Sequence, residues 1–167
     1  MIDVPLQPPL TMHRETVRPE WIDYNGHMNV AYYVMVFDHA TDGFFDTLGI
    51  GRAYCEAEGR SVFAAEQHVA YKREVGPGAP LVIATQLLGF DEKRLHFFQR
   101  MAVDGAGHLA ATMESLGVHV DMDTRRSAAF PDSARRSLAR LLDAHGPAGW
   151  PANAGRNVAA LAANPST

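Results

Sequence analysis

Apolar residues recur at two different periods along this chain, and the change of period divides it. Val30, Tyr33, Val34, Phe37, Thr41, Phe44 and Leu48 fall three and four apart, on one face of a helix spanning about residues 30–48. Tyr32, Met35, Val36 and Phe45 add apolar area on its other sides, and only Asp38, Asp42 and Asp46 mark a polar stripe. A helix this apolar is expected to be mostly wrapped by other structure. Asn29 stands where an N-cap is needed, and Gly49 where a left-handed C-terminal residue fits. One or two more helical turns are expected over 51–58.

After Gly59 the period becomes two. Phe63, Ala65, Val69, Tyr71 and Val75 are expected on one face of a strand over 61–75, with Glu66, His68, Lys72 and Glu74 on the other. A turn at 76–80 (Gly-Pro-Gly-Ala-Pro) leads to strands over 81–90 and 93–103. Asp104-Gly105 then signals a hairpin into a strand over 108–121. A short strand over 12–18 ends at Pro19, and Pro131 opens a helix over 131–144. The order is strand, apolar helix, then four antiparallel strands. An antiparallel sheet with one apolar face and a long apolar helix to cover it predicts an α+β fold in which the sheet wraps the helix. Residues 1–145 read as one domain, and 146–167, rich in Ala, Gly, Pro and Asn, as a tail that is loosely ordered or packed on a neighbour.

Composition narrows the partners. At 167 residues a single domain is expected, and a layer of helix and sheet of this size often completes itself by dimerising. The net charge of −4 argues against nucleic acid, which selects a basic face. Cys55 is the only cysteine, so no intramolecular disulfide forms, and its neighbours offer it no catalytic partner. The first ten residues lack the basic and apolar regions of a secretory signal, and no apolar run reaches membrane-spanning length. A cytoplasmic location is the expectation.

Candidate chemistry concentrates in one stretch, Asp23-Tyr-Asn-Gly-His-Met-Asn29. A carboxylate, an imidazole and two amides crowd together just before a helix N-terminus, where free N–H groups and the positive dipole end gather. Such a tip stabilises a carbonyl oxygen that gains negative charge, and a carboxylate facing it can attack the carbonyl or activate water. Gly26 permits close approach of backbone to a ligand. The same residue types are also ordinary turn and cap formers, which would account for the stretch without any chemistry.

The motif Asp23-x-x-Gly26-His27-x-Asn29, followed by Ala31-Tyr32-Tyr33 and by Asp38 in the helix, resembles the signature of the 4-hydroxybenzoyl-CoA thioesterase-like branch of the hotdog superfamily. The resemblance continues through Glu66–Tyr71, the Gly76-Pro-Gly turn, Asp91–Arg94 and Ala111–Glu114, over about residues 12–130. More narrowly, Trp21 to Tyr33, Phe37 to Asp42 and Lys93 to His96 are similar to the betainyl-CoA thioesterases of carnitine breakdown. The resemblance implies a hotdog fold and hydrolysis of an acyl-CoA thioester, with active sites between the subunits of a homodimer that often pairs into a tetramer. It implies that Asp23 is nucleophile or general base, that the Val30 N–H polarises the thioester carbonyl, and that His27 and Asn29 shape the pocket. Some relatives use a carboxylate of the central helix instead, a role open here to Asp38 or Asp42.

Further candidates follow. Trp21, Tyr24, Tyr32 and Tyr33, beside Asn25 and Gly26, can wall a quaternary ammonium group, or serve as plain core. Glu66 and His68 share a strand face that reaches the acyl group or stays solvated. Lys93-Arg94 and Arg125-Arg126 are the favoured partners for the phosphates of coenzyme A, ahead of Lys72-Arg73. The histidines lack metal-ligand spacing, and no phosphate-cradling glycine loop or serine-hydrolase elbow is present. No metal and no cofactor are expected, coenzyme A entering only as part of the substrate. The competing readings are a hydratase acting on an acyl thioester and a non-catalytic acyl-CoA-binding module.

Overall fold

The computed structural model describes residues 11–155. Its elements are β1 (Thr11–Thr16), α1 (Val30–Leu48), α2 (Arg52–Glu58), β2 (Arg60–Tyr71), β3 (Pro80–Phe90), β4 (Arg94–Val103), β5 (Leu109–Asp121), β6 (Arg126–Ser127) and α3 (Asp132–His145). The sheet is antiparallel, in the order β1-β3-β4-β5-β2, and β6 adds two residues against β5. It curls around α1, as the apolar helix and the period-two strands lead one to expect, and this is the hotdog fold that the resemblance implies.

Helix α1 starts because the Asn29 side chain accepts the Ala31 N–H, and it stops because Gly49, at φ 71°, turns its N–H back to Phe45 and Asp46 carbonyls. Its buried positions are Tyr33, Val36, Phe37, Ala40, Thr41, Phe44 and Leu48. They meet the concave face of the sheet in two apolar groups. One joins Val36 and Phe37 to Ile83, Met101 and Met113; the other joins Phe44 and Leu48 to Leu87, Phe97 and Leu138 of α3. Between them Gln99 Nε2 lies 3.1–3.2 Å from the Phe37 carbonyl, Thr41 Oγ1 and Thr85 Oγ1. That polar layer fixes the helix's position along the sheet, because any slide would orphan buried donors. The wrapping is incomplete: Val30 is 57% exposed, and Tyr32, Met35 and Phe45 are only half-buried.

Strand β2 departs from the simple alternation. A bulge between Ala64 and Glu66 shifts the register against β5, so Ala64 pairs with Gly117 but Glu66 with Leu116. The extra residue reverses the phase. Phe63, expected inside, is 41% exposed under the Arg125 guanidinium, whereas Val69 packs toward the core. The strand also ends at Tyr71 rather than 75. The Lys72 and Arg73 N–H groups both turn to the Ala110 carbonyl, and Val75 leaves the ladder to receive the Met28 N–H.

The convex face carries a polar layer. His96 Nε2 lies 2.7 Å from Glu114 Oε1, and both side chains are fully buried. Residues 146–155 run across this layer: Gln86 donates to the Gly149 carbonyl at 2.6 Å, Trp150 stands edge-on to His96, and the Gly155 N–H donates to Glu114 at 2.7 Å. The rest of the tail region, from residue 156 on, lies outside the described residues.

Two predictions follow from this packing. Glu114→Ala leaves His96 and the Gly155 N–H unpaired, so urea unfolding should show a loss of roughly 3 kcal/mol, with earlier proteolysis near residue 150. The second concerns Glu15 on β1, whose Oε2 lies 2.9 Å from His39 Nδ1 of α1 and 3.2 Å from His13 Nε2. Burial alone would raise the Glu15 pKa, but the hydrogen bonds from His39 and His13 outweigh it and hold it below the ordinary 4.5. A carboxyl depressed in the folded state stabilises above its unfolded pKa, and loses that contribution as pH falls through the folded value. Urea midpoints measured from pH 7 to pH 3 should therefore fall less steeply below about pH 4.5 for Glu15→Gln than for the parent.

Candidate active site

The loop between β1 and α1 is a small closed structure. Trp21, in a single 3-10 turn opened by Pro19, is 4% exposed and stacks on Tyr32 at 5.4 Å. Ile22 and Met28 form an antiparallel bridge, reinforced by Asp23 N–H to the His27 carbonyl at 3.1 Å. The Asn29 N–H donates to the Trp21 carbonyl at 2.9 Å. Gly26 makes the turn at φ 82°, a left-handed conformation that other residues resist. Asn25 and Gly26 are exposed there, and Tyr24, at the tip, is 97% exposed.

This hairpin sets Asp23 with both carboxylate oxygens engaged. Oδ1 accepts the Asn25 N–H at 2.8 Å, and Oδ2 accepts Asn29 Nδ2 at 3.2 Å. Asn29 therefore works in two directions, since its Oδ1 also accepts the Ala31 N–H at 3.0 Å and its carbonyl the Tyr32 N–H at 3.0 Å. The Val30 N–H is left with no partner among the described residues. The helix tip thus presents one open donor, one residue beyond the side chain that holds the carboxylate. An open N–H at a dipole's positive end is the group an oxyanion requires.

A cleft of about 220 Å³ opens at this tip, between His27, Val30, Tyr33, Tyr71 and residues 72–74. His27 Nε2 lies 4.0 Å from Glu74 Oε2. Tyr71 donates to the Val30 carbonyl at 3.4 Å and stands edge-on to Tyr33, itself nearly buried. Asp23 is not in the wall of this cleft and relates to the helix tip through Asn29.

The remaining sequence candidates fall elsewhere. Glu66 and His68 pair with Leu116 and Glu114 and so face outward, because of the bulge; Gln67 takes the inward position. Lys93, Arg94, Arg125 and Arg126 gather at one end of the sheet, where Arg94 pairs with Val118 and Arg126 with Asp121. Arg94 is held by Asp91, whose carboxyl burial would raise but whose hydrogen bonds from Arg94 and Lys93 hold low. The basic pair that lines the cleft at Val30 is instead Lys72-Arg73. Asp38 and Asp42 line a second cavity toward the other end of α1.

A curled sheet around an amide-tipped apolar helix, with a carboxylate tied to that tip, defines a hotdog-fold acyl-CoA thioesterase. The comparisons with known proteins agree. Residues 17–138 match the thioesterase-like superfamily, and the chain belongs to it. The betainyl-CoA thioesterase of Pseudomonas aeruginosa is 38% identical over 149 residues, 89% of this chain and 94% of the relative. An L-carnitine dehydrogenase/betainyl-CoA thioesterase of Rhizobium meliloti is 35% identical over 150 residues, 90% of this chain but 30% of that longer protein. Among solved structures, a Staphylococcus aureus protein in complex with CoA superposes with a TM-score of 0.83 at 30% identity, covering 90% of this chain and 95% of the other.

Asn29→Ala should both uncap α1 and release Asp23. The expected stability loss in urea unfolding is about 1 kcal/mol. Thiol release from a cleaved acyl-CoA should fall more than that loss accounts for, at protein concentrations where the variant remains folded.

Proposed function

We propose that this protein hydrolyses betainyl-CoA to glycine betaine and CoA, as a homodimer in which each active site takes residues from both copies. The observation that carries the reading is the Asn29 relay: one side chain holds the Asp23 carboxylate and caps the helix whose Val30 N–H stays open. Asp23 brings oxygen to the thioester carbonyl, either by attacking it to form an anhydride that water then opens, or by taking a proton from the attacking water. The charge that develops on the carbonyl oxygen is received by the Val30 N–H, and the CoA thiolate leaves. The acyl group is taken from the likeness to the Pseudomonas aeruginosa enzyme, which is nearly full-length.

An uncovered edge supports the two-copy arrangement. Strand β2 is twelve residues long and, among the described residues, terminates the sheet with no strand on its outer side. An edge of that length is a template for pairing. One end of it, Tyr71, touches the Val30 turn; at the other, Ser61, Val62 and Ala64 line the cavity that holds Asp38 and Asp42. Antiparallel pairing with a second copy sets these opposite ends together. The helix tip of one chain then stands over the cavity of the other, near the end of the sheet that carries Lys93, Arg94, Arg125 and Arg126.

A thiol-release assay over a panel of acyl-CoAs tests this reading. Betainyl-CoA should be turned over fastest, and Asp23→Ala should lose at least about 100-fold in kcat while the dimer persists in sedimentation. Full turnover by Asp23→Ala would reject the mechanism, and thiol release confined to other acyl groups would reject the substrate.

A further inference from the structure

We propose that the cavity beside the second half of α1 seats the acyl head delivered by the partner copy, and that Asp42, flanked by Asp38, selects acyl groups bearing a fixed positive charge. This rests on the hydrolase reading and the two-copy arrangement above.

The cavity exists because strand β5 runs out of bulk. Its inward positions pass from Met113, which is fully buried, to Ser115 and Gly117. Opposite them α1 and β2 do not close the gap, and about 390 Å³ is left between sheet and helix. That is the size of a small-molecule site. Gly117 cannot be enlarged to fill it, since a Cβ there would stand 2.8 Å from Val62.

The lining has the chemistry of a cation site. Asp38, Asp42 and Asp46 stack on successive turns of α1, and two of them, Asp38 and Asp42, line the cavity. Like charges four apart, toward the negative end of the helix dipole, oppose the helix that carries them. Neither lining carboxylate forms an ion pair among the described residues; Arg52, which also lines the cavity, is bonded to Glu56 at 2.9 Å. Asp38 and Asp42 are open to solvent at the cavity mouth; partial desolvation, then repulsion by Asp38 and Asp46, outweighs the attraction of His39 and Arg52 and raises the Asp42 pKa, a balance that an added cation would shift back. The walls include Phe45 and Phe97, edge-to-face at 6.0 Å.

A second observation is independent of the acidic stripe. Ser115, 1% exposed, lines this cavity, and its Oγ has no hydrogen-bond partner among the described residues. A buried hydroxyl is costly to leave unpaired. A quaternary ammonium head offers it polarised N–CH3 groups, offers the rings a cation, and needs no hydrogen-bond acceptor of its own.

Geometry decides which chain supplies the site. Asp42 lies twelve residues along α1 from Val30, about 18 Å by helical rise. In a betainyl thioester the charged nitrogen is two bonds from the reacting carbon. A chain therefore cannot present its own Asp42 to an ester held at its own Val30, whereas its partner can.

The test compares betainyl-CoA with 3,3-dimethylbutyryl-CoA, its uncharged isostere of the same shape. The parent enzyme should favour betainyl-CoA in kcat/KM, and Asp42→Asn should lower that ratio by about 10- to 100-fold. Asp46→Asn, which removes the third charge of the stripe but does not line the cavity, should move it far less. Co-expressed Asp23→Ala and Asp42→Asn chains should regain parental selectivity at the one site that takes Asp23 from one chain and Asp42 from the other. An unchanged ratio in Asp42→Asn, an equal shift in Asp46→Asn, or equal turnover of both esters by the parent overturns the inference while the hydrolase reading stands. No thiol release from either ester overturns the hydrolase reading itself.

Discussion

The structure turns on the two-sided use of Asn29. A helix N-terminus needs an acceptor for its first free N–H groups, and a loop carboxylate needs donors to keep one orientation. One amide side chain meets both needs, accepting from Ala31 and donating to Asp23. The helix tip and the carboxylate thereby become parts of a single rigid object. Among the described residues the Val30 N–H stays open as a consequence of that arrangement, since the cap reaches Ala31 and Tyr32 but not the residue next to it.

The sheet supports the junction and limits it. Gln99 pins α1 lengthwise through Phe37, Thr41 and Thr85, so the tip cannot slide relative to the strands. On the opposite face, residues 146–155 seal His96 and Glu114 away from water. The concave face is left incomplete in two places, the exposed turn at Val30 and Tyr71 and the gap over Ser115 and Gly117. Both adjoin β2, the longer of the sheet's two edge strands among the described residues. The proposed second copy, paired along β2, would cover both regions at once.

The bulge in β2 shows how one residue redirects function. Without it, Glu66 and His68 would face α1 and the cavity. With it they face outward beside Glu114 and Leu116, and the inward place falls to the uncharged Gln67. The carboxylates of the cavity then come from α1 alone. The same bulge exposes Phe63, whose ring carries the Arg125 guanidinium at the edge of the basic cluster.

What the sequence determined by itself is what local interactions govern. The span and both caps of α1, the tight loop from Trp21 to Asn29, and the turns at 76–80 and 104–105 all depend on residues within a few positions of one another, and the motif from Asp23 to Asn29 carried the resemblance that implied the hotdog class. Tertiary structure decided the rest. The phase of β2 depended on its register with β5, since a period-two pattern carries no mark of an inserted residue. The meeting of His13 and Glu15 with His39, and the burial of His96 and Glu114, required strands and helix distant in sequence to be laid side by side. The cavity arose because Ser115 and Gly117 faced a helix turn too far away for them to fill the space. Side-chain volume is written in the sequence, but the distance it has to span is set only when the layers pack.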